Sequence, residues 1–372
     1  MQKAYLDGIG SQYDDFTFFN LPYVGSYPSR YGKIWLYSHQ SSFKTKSGRR
    51  VKGRNVGFCN LSGLKHFSRY LSLKRSLIRW CIENKDQKKI LLIYAVTTPF
   101  LKACCEIKGK FNDVKIVQIV PDLPEFMVED NGGFKDRLRK LNRNILNKLY
   151  DDVDGYILLS KHMAERLSSE SKPSIVIEGI YSGEIKPKND KSQNTKNIFY
   201  GGTLAGRYGI MNLVDAFMQV QDADARLQIC GDGDSRERVI EAAKEDSRIQ
   251  YLGQLERHEV LEYQRKAFLL VNPRNSEGEF TKYSFPSKTM EYLASGTPSL
   301  IYRLPGIPDE YYDHCFSINN PSVAALASKI SEILNLQAEK LQEISTNAQS
   351  FIAKNKMPES QCKKVIEFIK SL

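Results

Sequence analysis

The sequence YSFPSKTMEYLASGTP, residues 283–298, contains a loop, a helix start and a helix stop. Pro286 fixes the backbone ahead of the helix, and Ser287 is a good N-cap. Gly296 is suited to ending the helix, and Pro298 prevents its continuation. We therefore predict one short helix here, between a loop on its N-terminal side and a strand that begins at residue 299.

This short helix carries Lys288 in its first turn and Glu291 three residues later, on the same face. Free N–H groups at a helix N-terminus, together with a lysine, suit a phosphate. The carboxylate of Glu291 could accept hydrogen bonds from vicinal sugar hydroxyls. The pair predicts a nucleotide-sugar pocket, although an ordinary capped helix with a solvent-facing Lys and Glu has the same pattern.

The rest of the sequence indicates two α/β lobes. Apolar strands alternate with helices over residues 89–179 and again over residues 197–302, which is typical of parallel sheets covered on both faces. We predict an α/β fold with two doubly wound Rossmann-like domains facing a cleft, and ligands beyond the carboxyl ends of the strands. The polar residues 181–196 are predicted to link a first domain at residues 1–180 to the second.

Composition narrows the class of protein. A chain of 372 residues is long enough for two domains, and it has 41% hydrophobic residues without an apolar run that could span a membrane. Its N-terminal residues lack the apolar region of a secretion signal. The seven cysteines are scattered without metal-ligand spacing, so we expect reduced thiols, no metal site and a cytoplasmic location.

The first lobe is strongly basic. Residues 1–110 hold 20 Lys and Arg against 6 Asp and Glu, and residues 44–54 are predicted to form a basic loop. An excess of this kind favours an anionic partner, which could be a phosphorylated acceptor, an acidic membrane surface or nucleic acid. The lobe has no recognisable nucleic-acid-binding motif, so nucleic acid is the least expected of the three.

A helix predicted over residues 61–84 leaves two interpretations open. Its apolar positions are Leu64, Phe67, Leu71, Ile78 and Cys81, and its basic positions are Lys65, Arg69, Lys74, Arg75 and Arg79. Such a helix could lie on an anionic bilayer with Trp80 and Tyr70 at headgroup level. It could equally face the core of its domain with a solvated basic face.

Three loops of the second lobe follow strands and would meet at one edge of its sheet. Residues 201–209 are glycine-rich and include Arg207, so the backbone can approach a phosphate that the guanidinium neutralises. Residues 231–234 follow the next strand, and residues 283–298 follow a later one. The convergence of the three loops is a stronger signal than any one of them.

These residues resemble the donor-binding half of the GT-B glycosyltransferases of family 4, the glycosyltransferase group 1 enzymes. The resemblance covers roughly 160 residues from Asn197. It rests on Gly201-Gly202-Thr203, Gly231-Asp232-Gly233, residues 252–255, residues 272–274 and residues 283–298. It implies a second domain at residues 197–357, followed by a helix at residues 358–372 that packs back on the first domain. It also implies retaining, metal-independent transfer from a nucleoside-diphosphate sugar.

The resemblance also implies a set of site residues. Arg207 and Lys288 would hold the diphosphate, and Glu291 matches the ribose-binding second glutamate of the family's E-x7-E motif. The other expected donor contacts are Gly202, Thr203, Asp232, Leu255, Glu256, Tyr283, Ser284, Phe285 and Ser287. In the first lobe, Asp122 resembles an acidic group that orients the acceptor hydroxyl or takes its proton, while a turn-forming Asp between prolines fits the same sequence.

Two departures from the family pattern point to a subgroup. Tyr283 stands where the first glutamate of E-x7-E is usual, and Arg207 stands in for a lysine that falls near Tyr208. Both changes resemble a subgroup reading YSFPSK among polysaccharide-building enzymes. The basic first lobe and this resemblance together predict a glycan or a polyprenyl-linked glycan at the inner membrane face as the acceptor, and UDP is the expected nucleotide.

A third departure lies at the N-terminus. Family members usually begin with a strand and a glycine-rich loop, whereas this sequence begins inside the helix expected to follow them, at residues 1–9. The first domain is therefore expected to lack that strand. An inactive partner subunit related to these enzymes is accordingly an alternative to an active transferase, and a nucleic-acid-binding protein is a less expected one.

Overall fold

The structure is a computed structural model that describes residues 1–94, 96–123, 134–167, 171–186 and 195–372. These residues divide into two compact units. The first unit comprises Met1–Ile180 and Pro358–Leu372, and the second comprises Tyr181–Met357. Residues 187–194 of the predicted linker lie outside the described residues. None of the described helices is both long and apolar enough to cross a membrane.

The first unit combines a small mixed sheet, a two-stranded ribbon and a parallel sheet. Its strands are β1 (Thr17–Asn20), β2 (Trp35–Leu36), β3 (His39–Lys44), β4 (Arg50–Asn55), β5 (Phe58–Cys59), β6 (Lys89–Tyr94), β7 (Val114–Val120), β8 (Gly155–Leu158) and β9 (Ser174–Val176). Its helices are α1 (Gln2–Gly10), α2 (Lys65–Glu83), α3 (Thr98–Lys108), α4 (Phe134–Tyr150), α5 (Met163–Arg166) and α12 (Pro358–Ser371). The parallel sheet has the order β6-β7-β8-β9, as the alternating pattern predicts.

The prediction of a basic loop over residues 44–54 is wrong. Strands β3 and β4 form an antiparallel hairpin, and β4 also pairs in parallel with β1. Val51 is buried on one face of β4, whereas Arg50 and Lys52 are exposed on the other. One apolar position within a row of charged ones is a weak strand signal, and the pairing of β4 with two neighbouring strands supplies the stability that the sequence pattern does not indicate.

Helix α2 faces the core with a different side from the predicted one. Lys65 and Arg69 are buried, and their side chains donate hydrogen bonds to the backbone carbonyls of Val24 and Leu21. Leu64 is exposed instead. The two cations turn inward because the segment ahead of the helix presents carbonyl groups to them, and buried carbonyls need a donor.

The aromatic residues of α2 are engaged within the first unit. The Tyr70 hydroxyl donates to the carboxylate of Glu106, which also pairs with Lys74. The ring of Trp80 meets that of Phe19 edge to face, with 6.3 Å between the centroids. The bilayer interpretation of α2 places both aromatic residues at headgroup level, and the structure gives each of them a protein contact instead.

The two ends of the chain meet in the first unit. Tyr5 of α1 and Val365 of α12 share a hydrophobic cluster with Val117 of β7. Gly8 allows this packing, because a Cβ at that position would collide with the Pro358 carbonyl oxygen and the Cys362 sulfur. The side chain of α12 residue Gln361 donates to Gly179 O at 2.9 Å. Helix α12 therefore packs on α1 and on one face of the parallel sheet.

The second unit is a parallel α/β sheet with helices on both faces. Its strands are β10 (Asn197–Gly201), β11 (Arg226–Cys230), β12 (Ile249–Tyr251), β13 (Leu269–Asn272), β14 (Ser299–Tyr302) and β15 (Phe316–Ile318). Its helices are α6 (Ile210–Met218), α7 (Arg236–Glu245), α8 (Arg257–Lys266), α9 (Ser287–Ser295), α10 (Val323–Leu334) and α11 (Ala338–Asn355). Neighbouring residues of β10 point into different apolar clusters, with Ile198 in one and Phe199 in the other.

The strand order of this sheet fixes where a ligand would be held. The order is β12-β11-β10-β13-β14-β15, and every pairing is parallel. The chain proceeds outward from β10 to β12 on one side and from β13 to β15 on the other. The sheet therefore has a topological switch point between β10 and β13, and the loops after these two strands open a crevice there.

Candidate functional site

The loops after β10 and β11 are joined by backbone hydrogen bonds. Gly202 N–H donates to Cys230 O at 2.9 Å, and Leu204 N–H donates to Asp232 O at 2.8 Å. Gly231 has a φ of +134°, and a Cβ there would collide with the Gly202 carbonyl oxygen. A glycine is needed at position 231 for both reasons. The first two predicted loops thus form one packed surface beside the switch point.

Asp234 ties the turn around Arg207 to the second loop. Its Oδ1 accepts hydrogen bonds from Gly206 N–H at 2.8 Å and from the Ser235 hydroxyl at 2.9 Å. These two bonds, with a smaller contribution from the Arg207 charge, lower the pKa of Asp234. Arg207 itself is exposed and lies over the Tyr208 ring, 5.0 Å from its centroid. The guanidinium is therefore held near the loops while its donors can still reach a ligand.

Lys288 lies against the glycine-rich turn. A Cβ on Gly202 would collide with the Lys288 Nζ, so the absence of a side chain at position 202 makes room for the ammonium group. The Nζ is 5.7 Å from the centroid of the Tyr200 ring. Burial lowers the pKa of Lys288, against smaller opposing contributions from Glu291 and Cys230. Among the described residues, no carboxylate forms an ion pair with Lys288, so the site places a partly buried cation next to a backbone turn.

The helix that carries Lys288 begins one residue earlier than predicted. Pro286 is the N-cap of α9, Ser287 is its first residue, and no side chain caps the helix. Thr289 N–H donates to Pro286 O at 2.9 Å, which brings Pro286 into the first turn. The predicted C-terminus is confirmed, since Gly296 adopts the left-handed conformation with φ +76°. The hydroxyl of Ser287 is exposed and is not used as a cap.

Glu291 is held by two residues that sequence reasoning missed. Its Oε1 accepts from Gln264 Nε2 at 2.7 Å, and its Oε2 accepts from Arg257 Nη2 at 3.0 Å. Gln264 is fully buried, whereas the Arg257 side chain is exposed. Each carboxylate oxygen can accept a further hydrogen bond, so this arrangement fixes the Glu291 side chain and leaves room for ribose hydroxyls. Nothing in the helical spacing of α8 marks Gln264 or Arg257 as partners of α9.

Arg274 is a third cation of this region, and it was absent from the predicted site set. Its Nη2 donates to Ser284 Oγ at 2.6 Å, and its guanidinium lies 5.6 Å from the centroid of the Tyr208 ring. Burial lowers the pKa of Arg274, and the charge of Arg207 adds to the shift. A cation two residues after β13 was visible in the sequence, but its side-chain direction was not. Arg274 links the predicted residue Ser284 to the Arg207 turn.

Two predicted donor contacts have buried side chains. Phe285 belongs to the hydrophobic core of the second unit, where its ring lies 5.2 Å from that of Tyr311. Tyr283 is also buried, with its hydroxyl 3.5 Å from Glu279 Oε1. Thr203, in contrast, is exposed, and its carbonyl accepts from the Tyr200 hydroxyl at 2.9 Å. A ligand at this edge would therefore meet Thr203 directly and the backbone of the loop that Tyr283 and Phe285 anchor.

The remaining predicted residues of the second unit lie on the loops after β11 and β12. Asp232 is exposed, and its carboxylate accepts from Gly233 N–H at 2.9 Å. Leu255 packs partly against the cluster that contains Phe199. Glu256 is the N-cap of α8 and forms a capping box with Glu259. The side chain of Glu256 therefore already has a structural task, while its backbone and Leu255 remain at the strand ends.

Asp122 lies in the first unit, two residues after the end of β7. Loss of solvent around its carboxyl raises the pKa of Asp122, and the Asp122 charge contributes to the raised pKa of Tyr94 at the end of β6. The neighbouring Pro124 and Glu125 of the predicted motif lie outside the described residues. A carboxyl with a raised pKa at the carboxyl end of a parallel strand is suited to exchanging a proton.

The second unit matches a known protein family. Residues 182–351 match the family described as Glycosyl transferases group 1. A comparison with the sequences of curated proteins gave no match.

The chain is also similar in fold to solved structures, and these matches cover residues of both units. HepE of Anabaena, solved in complex with UDP, has a TM-score of 0.61 at 15% identity over 87% of this chain and 86% of its own. Sucrose-phosphate synthase of Thermosynechococcus elongatus has 0.60 at 16% identity, over 89% and 85%. OtsA has 0.63 at 13% identity, over 98% and 94%. At these identities the comparison shows the fold, which is GT-B with two Rossmann-like domains.

The family match and the GT-B fold agree on the class of protein. The matched residues include the loops beside the switch point between β10 and β13, with Arg207, Arg274, Lys288 and Glu291. The chain thus has the GT-B fold, and the match of its residues 182–351 to the Glycosyl transferases group 1 family supports a transferase.

Proposed function

We propose that this protein transfers a sugar from a nucleoside-diphosphate sugar, with UDP as the nucleotide, to a glycan or polyprenyl-linked acceptor. The anomeric carbon would lose its bond to the diphosphate and form one to an acceptor oxygen, with retention of configuration. The observation that supports this most directly is the Lys288 ammonium, partly buried against Gly202 at the switch point without a carboxylate partner in the described residues. A cation at the switch point of a doubly wound sheet is suited to binding a diphosphate.

The residues divide between the two substrates. Lys288 and Arg207, with Arg274 beside them, would stabilise the negative charge of the departing diphosphate. Glu291 would accept hydrogen bonds from the ribose hydroxyls, since Gln264 and Arg257 hold its carboxylate in place. Asp122 would orient the acceptor hydroxyl or take its proton. These roles assign charge stabilisation to the second unit and acceptor chemistry to the first.

The setting of the reaction is also part of the proposal. We place the enzyme in the cytoplasm, with peripheral contact to an anionic inner membrane face, in the synthesis of a bacterial surface polysaccharide. The basic first lobe and the YSFPSK sequence support this setting. Neither a metal nor an organic cofactor is expected to be required, because the cations of the site can neutralise the leaving group.

The proposal is tested by the thermal stability of the full chain with nucleotide sugars. A UDP-sugar at about 100 times its dissociation constant adds roughly 2.7 kcal/mol to the free energy of unfolding. We expect a rise in melting temperature of about 5–10 °C for a domain of this size. Lys288→Ala should abolish the shift, because removing the ammonium leaves the diphosphate without its nearest charge.

Lys244→Ala is the matched control, since Lys244 is an exposed lysine in the last turn of α7. It should keep the full shift. If none of a panel of nucleotide sugars stabilises the wild-type chain, the inactive-subunit interpretation replaces the proposal. Tight, salt-sensitive binding to DNA would instead favour the nucleic-acid interpretation.

A further inference from the structure

A groove of about 880 Å³ lies in the first unit between the small mixed sheet and α2. Its floor is one face of the strands β1, β4 and β3, and its wall is one side of α2. The volume is within the range of about 300–1,000 Å³ that small-molecule sites occupy. The proposed roles of Asp122 and of the second unit involve none of its lining residues.

The floor of the groove is a row of cations. Arg50, Lys52 and Arg54 alternate along β4, so all three lie on the same face and are spaced about 7 Å apart. Cross-strand partners surround them with polar groups, since Lys52 pairs with Thr17 on one side and with Ser42 on the other. The opposite face of β4 carries the buried Val51. The strand therefore uses one face for the core and presents the other as a charged surface.

The wall of the groove adds a fourth cation and an aromatic edge. Arg79 and Trp80 line it from α2, together with Ser76 and Glu83 at helical spacing. Trp80 contacts Phe19 of β1 edge to face, with an angle of 79° between the rings. The aromatic pair closes one side of the groove and offers apolar surface next to the charges.

The cations of the groove do not form ion pairs with acidic side chains of the described part of the chain. Among the described residues, no acidic side chain forms an ion pair with any of Arg50, Lys52, Arg54 and Arg79. The Nε of Arg54 is buried without a hydrogen-bond partner. Lys74, on another side of α2, pairs by contrast with Glu106.

We propose that this groove binds an acidic oligosaccharide, a sugar chain with repeated carboxylates, as a distal part of the acceptor. Planar guanidinium groups match carboxylates in two-point hydrogen bonding. The hydroxyl and amide groups of Thr17, Ser42 and Gln40 match sugar hydroxyls, and the ring of Trp80 offers a face or edge to a sugar's apolar side. A row of equally spaced cations favours a ligand with repeated charges over one with a single charge.

The shape of the groove favours a sugar chain over other anions. A bilayer surface is too broad to enter a groove between a sheet and a helix. Single-stranded nucleic acids are bound on aromatic rings that stack successive bases, whereas the aromatic residues of this lining, Phe19 and Trp80, meet edge to face and form no such row. An acidic sugar chain can pair its carboxylates with the cations of β4 and its hydroxyls with the polar side chains of the lining.

The test is a titration of the full chain with a short oligogalacturonate, followed by calorimetry and tryptophan fluorescence. The sequence contains two tryptophans, so a Trp35→Phe background leaves Trp80 as the reporter. We expect binding that changes the Trp80 emission. The double change Lys52→Gln and Arg79→Gln, at two exposed positions, should weaken binding roughly tenfold or more. The methyl-esterified oligosaccharide, which has the same sugars without the charges, should bind far more weakly.

Arg75→Gln is the matched control, because Arg75 is exposed on the same helix and does not line the groove. It should leave the affinity unchanged. The proposal is overturned if the ester binds as tightly as the acid, or if Arg75→Gln weakens binding as much as the double change. Tighter binding of a short DNA duplex or of anionic vesicles, lost in the double variant, would assign the groove to that other partner instead.

This inference depends on the proposed transfer function for the statement that the bound sugar chain is an acceptor. The two can fail separately, because the titration needs no nucleotide sugar and the thermal shift needs no oligosaccharide. A UDP-sugar shift without oligogalacturonate binding would retain the transfer proposal and remove the groove proposal. Oligogalacturonate binding without any nucleotide-sugar shift would retain the groove as an oligosaccharide site and remove the transfer proposal.

Discussion

Lys288 is the residue whose protonation state connects the structure to a measurable pH dependence. Burial lowers its pKa, so in the folded protein it becomes neutral at a lower pH than in the unfolded chain. The penalty for the buried charge is present at neutral pH and is relieved as pH rises through the lowered pKa. The free energy of unfolding should therefore gain a contribution with rising pH below the ordinary lysine value of about 10.4.

UDP affinity should change in the opposite direction over the same pH window. A neutral amine cannot neutralise a phosphate, so we expect the dissociation constant of UDP to rise as pH increases from neutral toward about 10. Lys288→Arg keeps its charge throughout and should show a flatter profile. Calorimetric titrations with UDP at several pH values measure both. Parallel profiles in the wild type and in Lys288→Arg would assign the pH dependence to another group.

At single positions, the sequence predicts which residues belong to the candidate site better than it predicts where their side chains point. Lys288 and Glu291 lie at the strand edge where the motif spacing puts them, and the Gly296 terminus is confirmed. Gln264 and Arg274 were not predicted, because their roles depend on contacts with α9 and with Ser284 that only the folded chain brings together. Lys65 and Arg69 are inward-facing for the same kind of reason, since their partners are backbone carbonyls in another segment.

At the scale of elements, strands with a clear pattern are predicted and strands without one are missed. The alternating strands predicted over residues 89–179 and 197–302 are present, including the one predicted to begin at residue 299, because each is a short apolar run in a sheet covered on both faces. The hairpin β3–β4 was missed because its outward face is cationic and Gly53 interrupts β4. A Cβ at that glycine would collide with the Phe18 ring, a constraint that only the strand pairing creates.

Helix α4 presents an exposed apolar pair that suits the proposed membrane contact. Leu141 and Ile145 are 59% and 48% exposed, one turn apart, on a helix with exposed basic residues such as Arg137 and Lys140. Apolar side chains within a basic surface favour the interface of an anionic bilayer. The double change Leu141→Ser and Ile145→Ser should lower binding to vesicles that contain anionic lipid by about tenfold or more.

Sedimentation of the protein with such vesicles measures this binding. Ile82→Ser is the comparison, because Ile82 is an isoleucine on α2 that is as exposed as Leu141. It should have little effect. Equal loss in both variants would mean that general hydrophobicity, and not the α4 surface, governs the interaction, and no binding by the wild type would remove the membrane from the list of partners.

At the scale of the whole molecule, the chain leaves the first unit at residue 180 and returns to it at residue 358. The stability of the first unit therefore depends on a helix that follows the entire second unit in sequence. Alternating strands and helices are sufficient to predict two α/β units. They do not indicate that α1 and α12 pack together, because that contact depends on the absence of a side chain at Gly8.

Gly8→Ala tests this return of the chain. The added methyl group would collide with the Pro358 carbonyl and the Cys362 sulfur, and overpacking of this kind costs about 1–3 kcal/mol. Since each kcal/mol shifts the melting temperature of a domain this size by roughly 2–4 °C, the first unit should unfold several degrees earlier. The UDP-induced shift of the second unit should persist, because Gly8 lies outside residues 182–351.

Gly109→Ala, where a Cβ would meet only ordinary contacts at 3.6 Å, should leave both transitions unchanged. Calorimetric scans with and without UDP separate these outcomes, and a Gly8→Ala protein that loses the UDP shift would show that the two units do not unfold independently.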